Sequence, residues 1–355
     1  MRKFLFFFLL SATVLVLGGA GCITVGGSAP AAIDGGVFKS VDGGLTWAQR
    51  TQIFAIGGER KDFSKDVMTG LIFDPADHNA LYATGINTGL LFSYAGGMAW
   101  QRPEQIKAGT VSSVTVDSKN KCLIFVALGN LIFKSEDCSR SFLAVYQEGR
   151  PEVRLTNVVI DPNSSLVLYA GNSVGDFLKS TDGGKNWVVT KRFENPLAKV
   201  IINPTNSKII YVATQEKGLY RSNDAGENWT EMNEGLKKYG GAYIYHDLVL
   251  VDPKAESFLL ASQYGLIKTE DAGVTWEAID LLTPPNGADI RVVAVNPKNV
   301  KEIFYATPTT FYKSVDGGLE WGNQKLPSVR PPSFLLIDSN DPKIMYLGFG
   351  QPIKK

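Results

Sequence analysis

One eight-residue pattern, Ser-x-Asp-x-Gly-x-x-Trp, constrains this chain more than any other feature because it returns seven times. The copies begin at Ser40 (SVDGGLTW), Ser93 (SYAGGMAW), Ser135 (SEDCSRSF), Ser180 (STDGGKNW), Ser222 (SNDAGENW), Thr269 (TEDAGVTW) and Ser314 (SVDGGLEW), spaced 53, 42, 45, 42, 47 and 45 residues apart. A period in the forties marks an architecture in which each repeat covers the apolar face of its neighbour. The residue types explain themselves as a self-capped hairpin. Hydroxyl and carboxylate accept hydrogen bonds from nearby backbone N–H groups, and Gly supplies the positive φ of a tight turn. Asp42, Asp137, Asp182, Asp224, Asp271 and Asp316 are therefore turn-builders. A catalytic or cation-binding Asp would not recur at one place in six of seven repeats. Ala95 takes that place in the second copy, so its hairpin is expected to be the loosest. All six tryptophans, Trp47, Trp100, Trp187, Trp229, Trp276 and Trp321, end a copy, and Phe142 does so in the third. Each ring is expected to bury about 150–250 Å² in the core.

A second pattern runs in step with the first. Seven segments (71–85, 114–128, 158–171, 200–214, 248–262, 292–307 and 335–348) carry an apolar strand ending in Asp or Asn, usually followed by Pro, and then a second apolar strand. Pro has no N–H to continue a ladder and stops the first strand. Each unit thus reads as four antiparallel strands. Radial repetition of such units gives an all-β, seven-bladed β-propeller, which leaves only short protected edges. The chain opens with the last two strands of a unit and ends with the first two, so the termini are expected to share a closing blade.

The wording of the combined unit, as in Asp161–Trp187 and Asn203–Trp229, resembles the Asp-box (BNR) repeat propellers over nearly the whole of residues 35–350. It is most similar to the sortilin-type receptors and the xyloglucan-hydrolysing glycosidases, and more distantly to the photosystem II assembly-factor propellers. The resemblance implies a fold and leaves the activity open, since one scaffold carries enzymes, receptors and assembly factors.

Outside the repeats, Arg2 and Lys3 precede an apolar run from Phe4 to Leu17, and Ala20-Gly21 lead into Cys22. This is the pattern of a secretory signal over residues 1–21. It resembles a bacterial lipoprotein cleavage site, departing from it at Gly19, where Leu is usual. The resemblance implies lipidation of Cys22, a flexible tether over 22–34, export across the bacterial inner membrane, and an anchored protein on the periplasmic or cell-surface side. Residues 351–355 are left as a tail. In an oxidising compartment the remaining thiols, Cys122 and Cys138, come together if Leu128 faces Leu131 across a hairpin; a disulfide and two free thiols both remain open. Thirty-six Lys and Arg balance 35 Asp and Glu, which argues against a nucleic-acid partner.

Function is expected on the face that carries the variable loops, Arg50–Met68, Glu231–His246 and Ala278–Arg291. Arg60, Arg154, Tyr239, Tyr243, His246 and Arg291 are the candidate binding residues, suited to a protein or an extracellular polysaccharide. Asp66, Asp247 and Asp289 are the carboxylates to weigh for glycoside hydrolysis, which needs two of them roughly 5–10 Å apart. A sialidase-like activity would imply an arginine cluster and an Arg-Ile-Pro-like segment, and the xyloglucan enzymes pair two propellers; neither arrangement is found here. His78 reads as merely exposed on the other face. No metal-ligand spacing, phosphate loop or nucleophile elbow occurs. The expectation is a monomeric binding propeller without cofactor or chemistry, the alternative a glycosidase working on the channel face.

Overall fold

The computed structural model describes residues 34–54, 61–252, 254 and 256–352. Seven antiparallel sheets form a seven-bladed β-propeller. Blade 1 holds Val67–Asp74, Asp77–Ile86 and Gly89–Ser93, its fourth strand reduced to a bridge between Phe92 and Gln101. Blade 2 is Val111–Val116, Ile124–Leu128, Leu131–Ser135 and Leu143–Gln147; blade 3 is Leu155–Asp161, Ser164–Asn172, Asp176–Ser180 and Val188–Arg192. Blade 4 is Leu197–Ile202, Ile210–Thr214, Leu219–Ser222 and Thr230–Glu231; blade 5 is Tyr245–Leu250, Phe258–Ser262, Leu266–Thr269 and Glu277–Ala278. Blade 6 is Val292–Asn296, Asn299–Ala306, Thr310–Ser314 and Gly322–Lys325. Blade 7 combines Pro332–Ile337 and Met345–Phe349 with Val37–Ser40 and Ala48–Gln49, Phe38 pairing with Leu347 and Ser40 with Met345. The shared blade expected from the phase of the termini is the one observed.

Every blade is built from the same two turns. At the end of each first strand an Asp or Asn side chain accepts the N–H two residues on: Ala76 to Asp74 at 2.8 Å, Lys119 to Asp117 at 2.7 Å, Thr205 to Asn203 at 2.8 Å, Asn340 to Asp338 at 2.7 Å. The Asp therefore starts the turn and Pro only prevents its alternative. In each Asp-box the Ser hydroxyl donates to the Asp and accepts the N–H four residues on, as in Gly226 to Ser222 at 2.9 Å, while the Asp accepts the N–H of Asn228 at 2.8 Å. Gly226 has φ 91°, and a Cβ there would stand 2.9 Å from the Phe177 ring of the preceding blade. Conformation and close approach both demand Gly. Ala95 forfeits the carboxylate bonds, leaving only the Ser93 hydroxyl to cap that hairpin.

Neighbouring blades are tied by a second regularity. In the second strand one row, Tyr82, Phe125, Tyr169, Tyr211, Leu259, Phe304 and Tyr346, faces the third-strand row Phe92, Lys134, Lys179, Arg221, Lys268, Lys313 and Lys39. The cation lies over the aromatic ring in five blades, at 5.3 Å for Lys39 on Tyr346 and 6.0 Å for Lys179 on Tyr169. In blades 3 and 7 both members also donate to one carbonyl in the next blade's box: Tyr169 and Lys179 to Ala225, and Tyr346 and Lys39 to Gly96.

Burial of the motif tryptophans departs from expectation. Trp100, Trp276 and Phe142 are buried, but Trp47, Trp187, Trp229 and Trp321 are only half-buried. The difference follows the chain that leads into each blade. A two-stranded ladder of Gln52–Ile53 and Lys61–Asp62 lies over Trp100, whose Nε1–H donates to the Arg50 carbonyl at 2.9 Å and whose ring meets Phe63 edge-on. The 3₁₀ turn Glu104–Ile106 buries Ile106 in the cluster that holds Phe142. The 3₁₀ turn Glu234–Leu236 lies over Trp276, with Gly235 so placed that a Cβ would be 2.7 Å from the indole. Trp47, Trp187 and Trp229 follow short connections and keep one side in water, while Trp321 stays half-buried beside a long connection that meets it through the Asp280 carbonyl, 2.9 Å from its Nε1.

The remaining ties close the ring. Arg330 Nε pairs with Asp34 at 3.1 Å, and Asp34 also accepts Ser328 and Val329, so this residue belongs to the propeller rather than to a tether. His78 is not merely exposed: its Nδ1 lies 2.6 Å from Asp338 of blade 7, and it stacks on Phe73. Leu128 faces Leu131, and a disulfide joins Cys122 to Cys138. Cys138 and Ser139 there hold left-handed conformations, φ 58° and 66°; other boxes place Gly or, as with Ala225 and Ala272, Ala at the first of these positions and Gly at the second.

Candidate functional site at the mouth of the channel

Antiparallel meanders put the Asp turns and Asp-boxes on one face and the remaining two loop sets on the other. On that second face the innermost strand of six blades begins with a bulge, at Thr69, Ser112, Thr156, Ala198, His246 and Ser333. A bulge re-aims its side chain and breaks the ladder. Here it stitches one blade to the next. Thr69 Oγ1 donates to the Val111 carbonyl at 3.3 Å, Ser112 Oγ to Leu155 at 2.7 Å, Asn157 Nδ2 to Leu197 at 3.1 Å, and His246 Nδ1, as the protonated nitrogen, to Ile290 at 2.7 Å.

The stitch is missing at two of these bulges: Ser333 Oγ has no hydrogen-bond partner among the described residues, and between blades 4 and 5 Ala198 has nothing to donate. In its place Lys199 Nζ reaches Asp247 at 2.9 Å across the seam. Asp247 also accepts the Leu248 N–H at 2.8 Å and faces the Tyr245 hydroxyl at 3.5 Å. Lost hydration and the Asp247 charge push the Tyr245 phenol well up, so it remains a neutral donor. Beside this pair lies an open cavity of about 430 Å³ lined by Thr156, Leu197, Ala198, Gln215, Glu216, Ile244 and Tyr245. Its lining mixes the aliphatic Leu197, Ala198 and Ile244 with the polar Thr156, Gln215, Glu216 and the Tyr245 phenol. Ile244 is 41% exposed.

The three weighed carboxylates are each held by a different cation. Asp66 is taken by Arg102 at 3.0 Å, Asp247 by Lys199, and exposed Asp289 by Arg291 at 2.5 Å. They sit before blade 1, in blade 5 and before blade 6, and no hydrogen bond or ion pair among the described residues links any two of them. Of the candidate binding residues, Arg60 lies outside the described residues. Arg154 is exposed and folds back on the carbonyls of Pro151 and Val153. His246 is spent on the blade 6 stitch, and Arg291 on Asp289. Tyr239 and Tyr243 prove to be structural: Tyr239 donates to the Trp276 carbonyl at 2.8 Å and meets Tyr264 edge-on, Tyr243 donates to Asn233 at 3.2 Å, and both pack on the core. Their loop looked free because neither belongs to a motif; in the fold its apolar residues cover Trp276.

Sequence reasoning missed a charged knot between blades 2 and 3 on this face. Arg150 bridges Glu148 at 2.8 Å and Asp176 at 2.6 Å, Arg192 adds a bond to Asp176 at 3.1 Å, and buried Asn172 completes it. The Arg150 hydrogen bonds hold Glu148 below the usual carboxylate range. Burial pushes Asp176 up, but hydrogen bonds from Arg150 and Asn172 outweigh it and leave that carboxyl lowered too. Its partners come from three separate segments, so no local pattern announces it. Among the described residues no group of three or more His, Cys, Asp or Glu is placed to hold a metal ion.

Solved structures with the same arrangement come from proteins of different activities. The chain superposes on a GH74 enzyme from Niastella koreensis with a TM-score of 0.66 at 18% identity, covering 85% of this chain and 53% of that one. It superposes on a GH74 xyloglucanase from Xanthomonas campestris at 0.64 and 18%, covering 80% and 51%. A YCF48 structure bound to a D1 peptide matches at 0.62 and 14%, covering 81% and 94%. The chain thus spans about half the length of the two GH74 enzymes. At these identities the likeness establishes the propeller fold. No protein-family model and no curated protein sequence matches the chain.

Proposed function

We propose that this propeller is a binding scaffold that captures a protein segment at the mouth of its channel, over the seam between blades 4 and 5, without carrying out chemistry on it. The observation that carries this is the state of the three weighed carboxylates: Asp66, Asp247 and Asp289 are each paired with their own cation, Arg102, Lys199 and Arg291, in different parts of the ring. The seam instead offers a cavity of mixed lining with an exposed Ile244, a phenol and an unpaired backbone edge interrupted by a bulge, which suits an extended segment that places an aliphatic side chain beside Ile244. The YCF48 neighbour, which this chain covers over 94% of its length, holds a D1 peptide, and that supports the assignment. We further propose that the chain is exported and held at a membrane by lipid on Cys22; replacing Cys22 with Ser should then release it to the soluble fraction.

The test is selection of a displayed random-peptide library on the purified propeller. Selected peptides should lose binding to Ala198→Arg and Ile244→Asp variants that unfold at the wild-type temperature. Turnover of a panel of plant, microbial and sialylated glycans, abolished by Asp66→Asn, Asp247→Asn or Asp289→Asn, would replace the scaffold with a hydrolase.

A further inference from the structure

The row of aromatic rings that ties each blade to the next is interrupted once, at Leu259 of blade 5. Leu259 stands opposite Lys268, where the other blades place Tyr or Phe. Leucine lacks the ring, and the described residues do not refill the space. A cavity of about 530 Å³ opens between blades 5 and 6 on the Asp-box face, lined among others by Leu259, Ile279, Val295, Ile303, Lys268 and Gly317. Its volume is within the range of ligand pockets. The groups that elsewhere grip the ring are still in place. Lys268 has no ring beneath it and reaches only long contacts to Glu270 and Glu277, at 3.6 and 3.5 Å. Gly317 occupies the box position whose carbonyl, in Ala225 and Gly96, accepts the tyrosine hydroxyl of the preceding blade at 3.3 and 2.9 Å. The Gly317 carbonyl accepts no hydrogen bond from the described residues, and a Cβ on Gly317 would meet nothing within 4 Å.

We propose that this cavity is a docking site for the phenol ring of a partner protein's tyrosine. The occupant's chemistry is set by the protein's own repeats: in blades 3 and 7 a tyrosine ring lies under a lysine and its hydroxyl reaches the next box. The incoming ring takes the same place under Lys268 and donates its O–H to Gly317. A partner side chain, rather than a free phenol, is indicated by the apolar rim: Leu319 and Val300 in the lining are 84 and 52% exposed. A free ring would leave that rim in water, whereas a polypeptide carrying the ring covers it. The site lies on the face opposite the channel mouth and is independent of the function proposed above.

The experiment titrates the full propeller with p-cresol and with three capped tripeptides, Ala-Tyr-Ala, Ala-Phe-Ala and Ala-Leu-Ala, following methyl chemical shifts of Leu259, Ile279 and Ile303. Saturable shifts are expected in the order tyrosine peptide, phenylalanine peptide, leucine peptide, with p-cresol weaker than the tyrosine peptide. Leu259→Tyr supplies the ring from within and should raise the unfolding temperature and abolish tyrosine-peptide binding. Should that variant unfold, Lys268→Met gives the second readout, an about two- to fivefold loss in affinity from the missing cation. Absence of saturable shifts, or equal binding of the leucine and tyrosine peptides, would overturn the site. Binding of p-cresol as tight as the tyrosine peptide would overturn the protein partner.

Discussion

Trp276 and Trp187 hold the same position in the repeat, yet truncating them should have unequal effects. Trp276 is 1% exposed, its Nε1–H donates to Gly273 at 3.1 Å, and the turn Glu234–Leu236 lies over its ring. Burying about 150–250 Å² of indole at about 25 cal/mol per Å² gives about 4–6 kcal/mol, and truncations of buried Phe or Trp to Ala cost about 3–5 kcal/mol in practice. Trp276→Ala should therefore cost about 3–5 kcal/mol. Trp187 makes the equivalent bond to Gly184 at 3.0 Å but is only half-buried. Trp187→Ala should cost about half as much, because half the ring is already hydrated in the folded state. Urea unfolding followed by circular dichroism measures both, with unchanged m-values indicating that the folded and unfolded states keep their exposed areas. The first substitution should also free the segment that leans on the indole, so limited proteolysis should cut between Glu234 and Tyr245 in Trp276→Ala and not in Trp187→Ala. Equal losses of stability, or no new cleavage, would refute the idea that the long connections exist to cover motif rings.

Three other outcomes follow from the same geometry. Hydrogen bonds from the residue four places on, Thr46, Ser141, Asn186 or Asn228, hold the carboxyls of Asp42, Asp137, Asp182 and Asp224 at about 2, against an ordinary 3.8. The folded state thus resists protonation more than the unfolded chain. This support is complete above about pH 4 and is lost as pH falls from 3.8 towards 2; aspartate titration by carbon NMR checks it, and folded-state midpoints near 3.8 would contradict it. Replacing Cys122 and Cys138 together with Ser should cost about 3 kcal/mol by releasing a loop spanning 16 positions, measured by unfolding with and without reductant. Deleting residues 34–49 removes both N-terminal strands of blade 7 and the Asp34 partner of Arg330, so gel filtration should show aggregates; a monodisperse product of native unfolding temperature would place closure elsewhere.

What was legible in the sequence was what is local. Each Asp-box contains its own donors and acceptors within five residues, so its fold and the exclusion of Asp182 or Asp224 from chemistry could be read directly. Strand register followed too, since Gly129-Asn130 fixes Leu128 against Leu131 and hence Cys122 beside Cys138. The mouth of the channel was illegible for the opposite reason. Asp247 is defined there by Lys199, 48 residues earlier, and Asp66 by Arg102, 36 residues later. Tyr239 and Tyr243 looked like spare aromatic residues because the ring they cover, Trp276, lies more than thirty positions away in the chain.

A repeat protein does offer one route to its special places from sequence: the position where one copy departs from the rest. Three departures here have different physical consequences. Ala95 removes capping bonds from an exposed hairpin, and that blade still closes because its Trp100 is clamped by the ladder at Gln52–Ile53. Ala198 removes an inter-blade donor, and a charge pair takes over the seam beside an open cavity. Leu259 removes a ring and none of the described residues takes its place, so Lys268 and the Gly317 carbonyl remain set for a group those residues do not provide. Loss of a bond that is replaced reads as tolerance. An unfilled vacancy whose partners stay in place is better explained by an external occupant, because an empty apolar cavity destabilises the ring and a single Leu259→Tyr change would fill it.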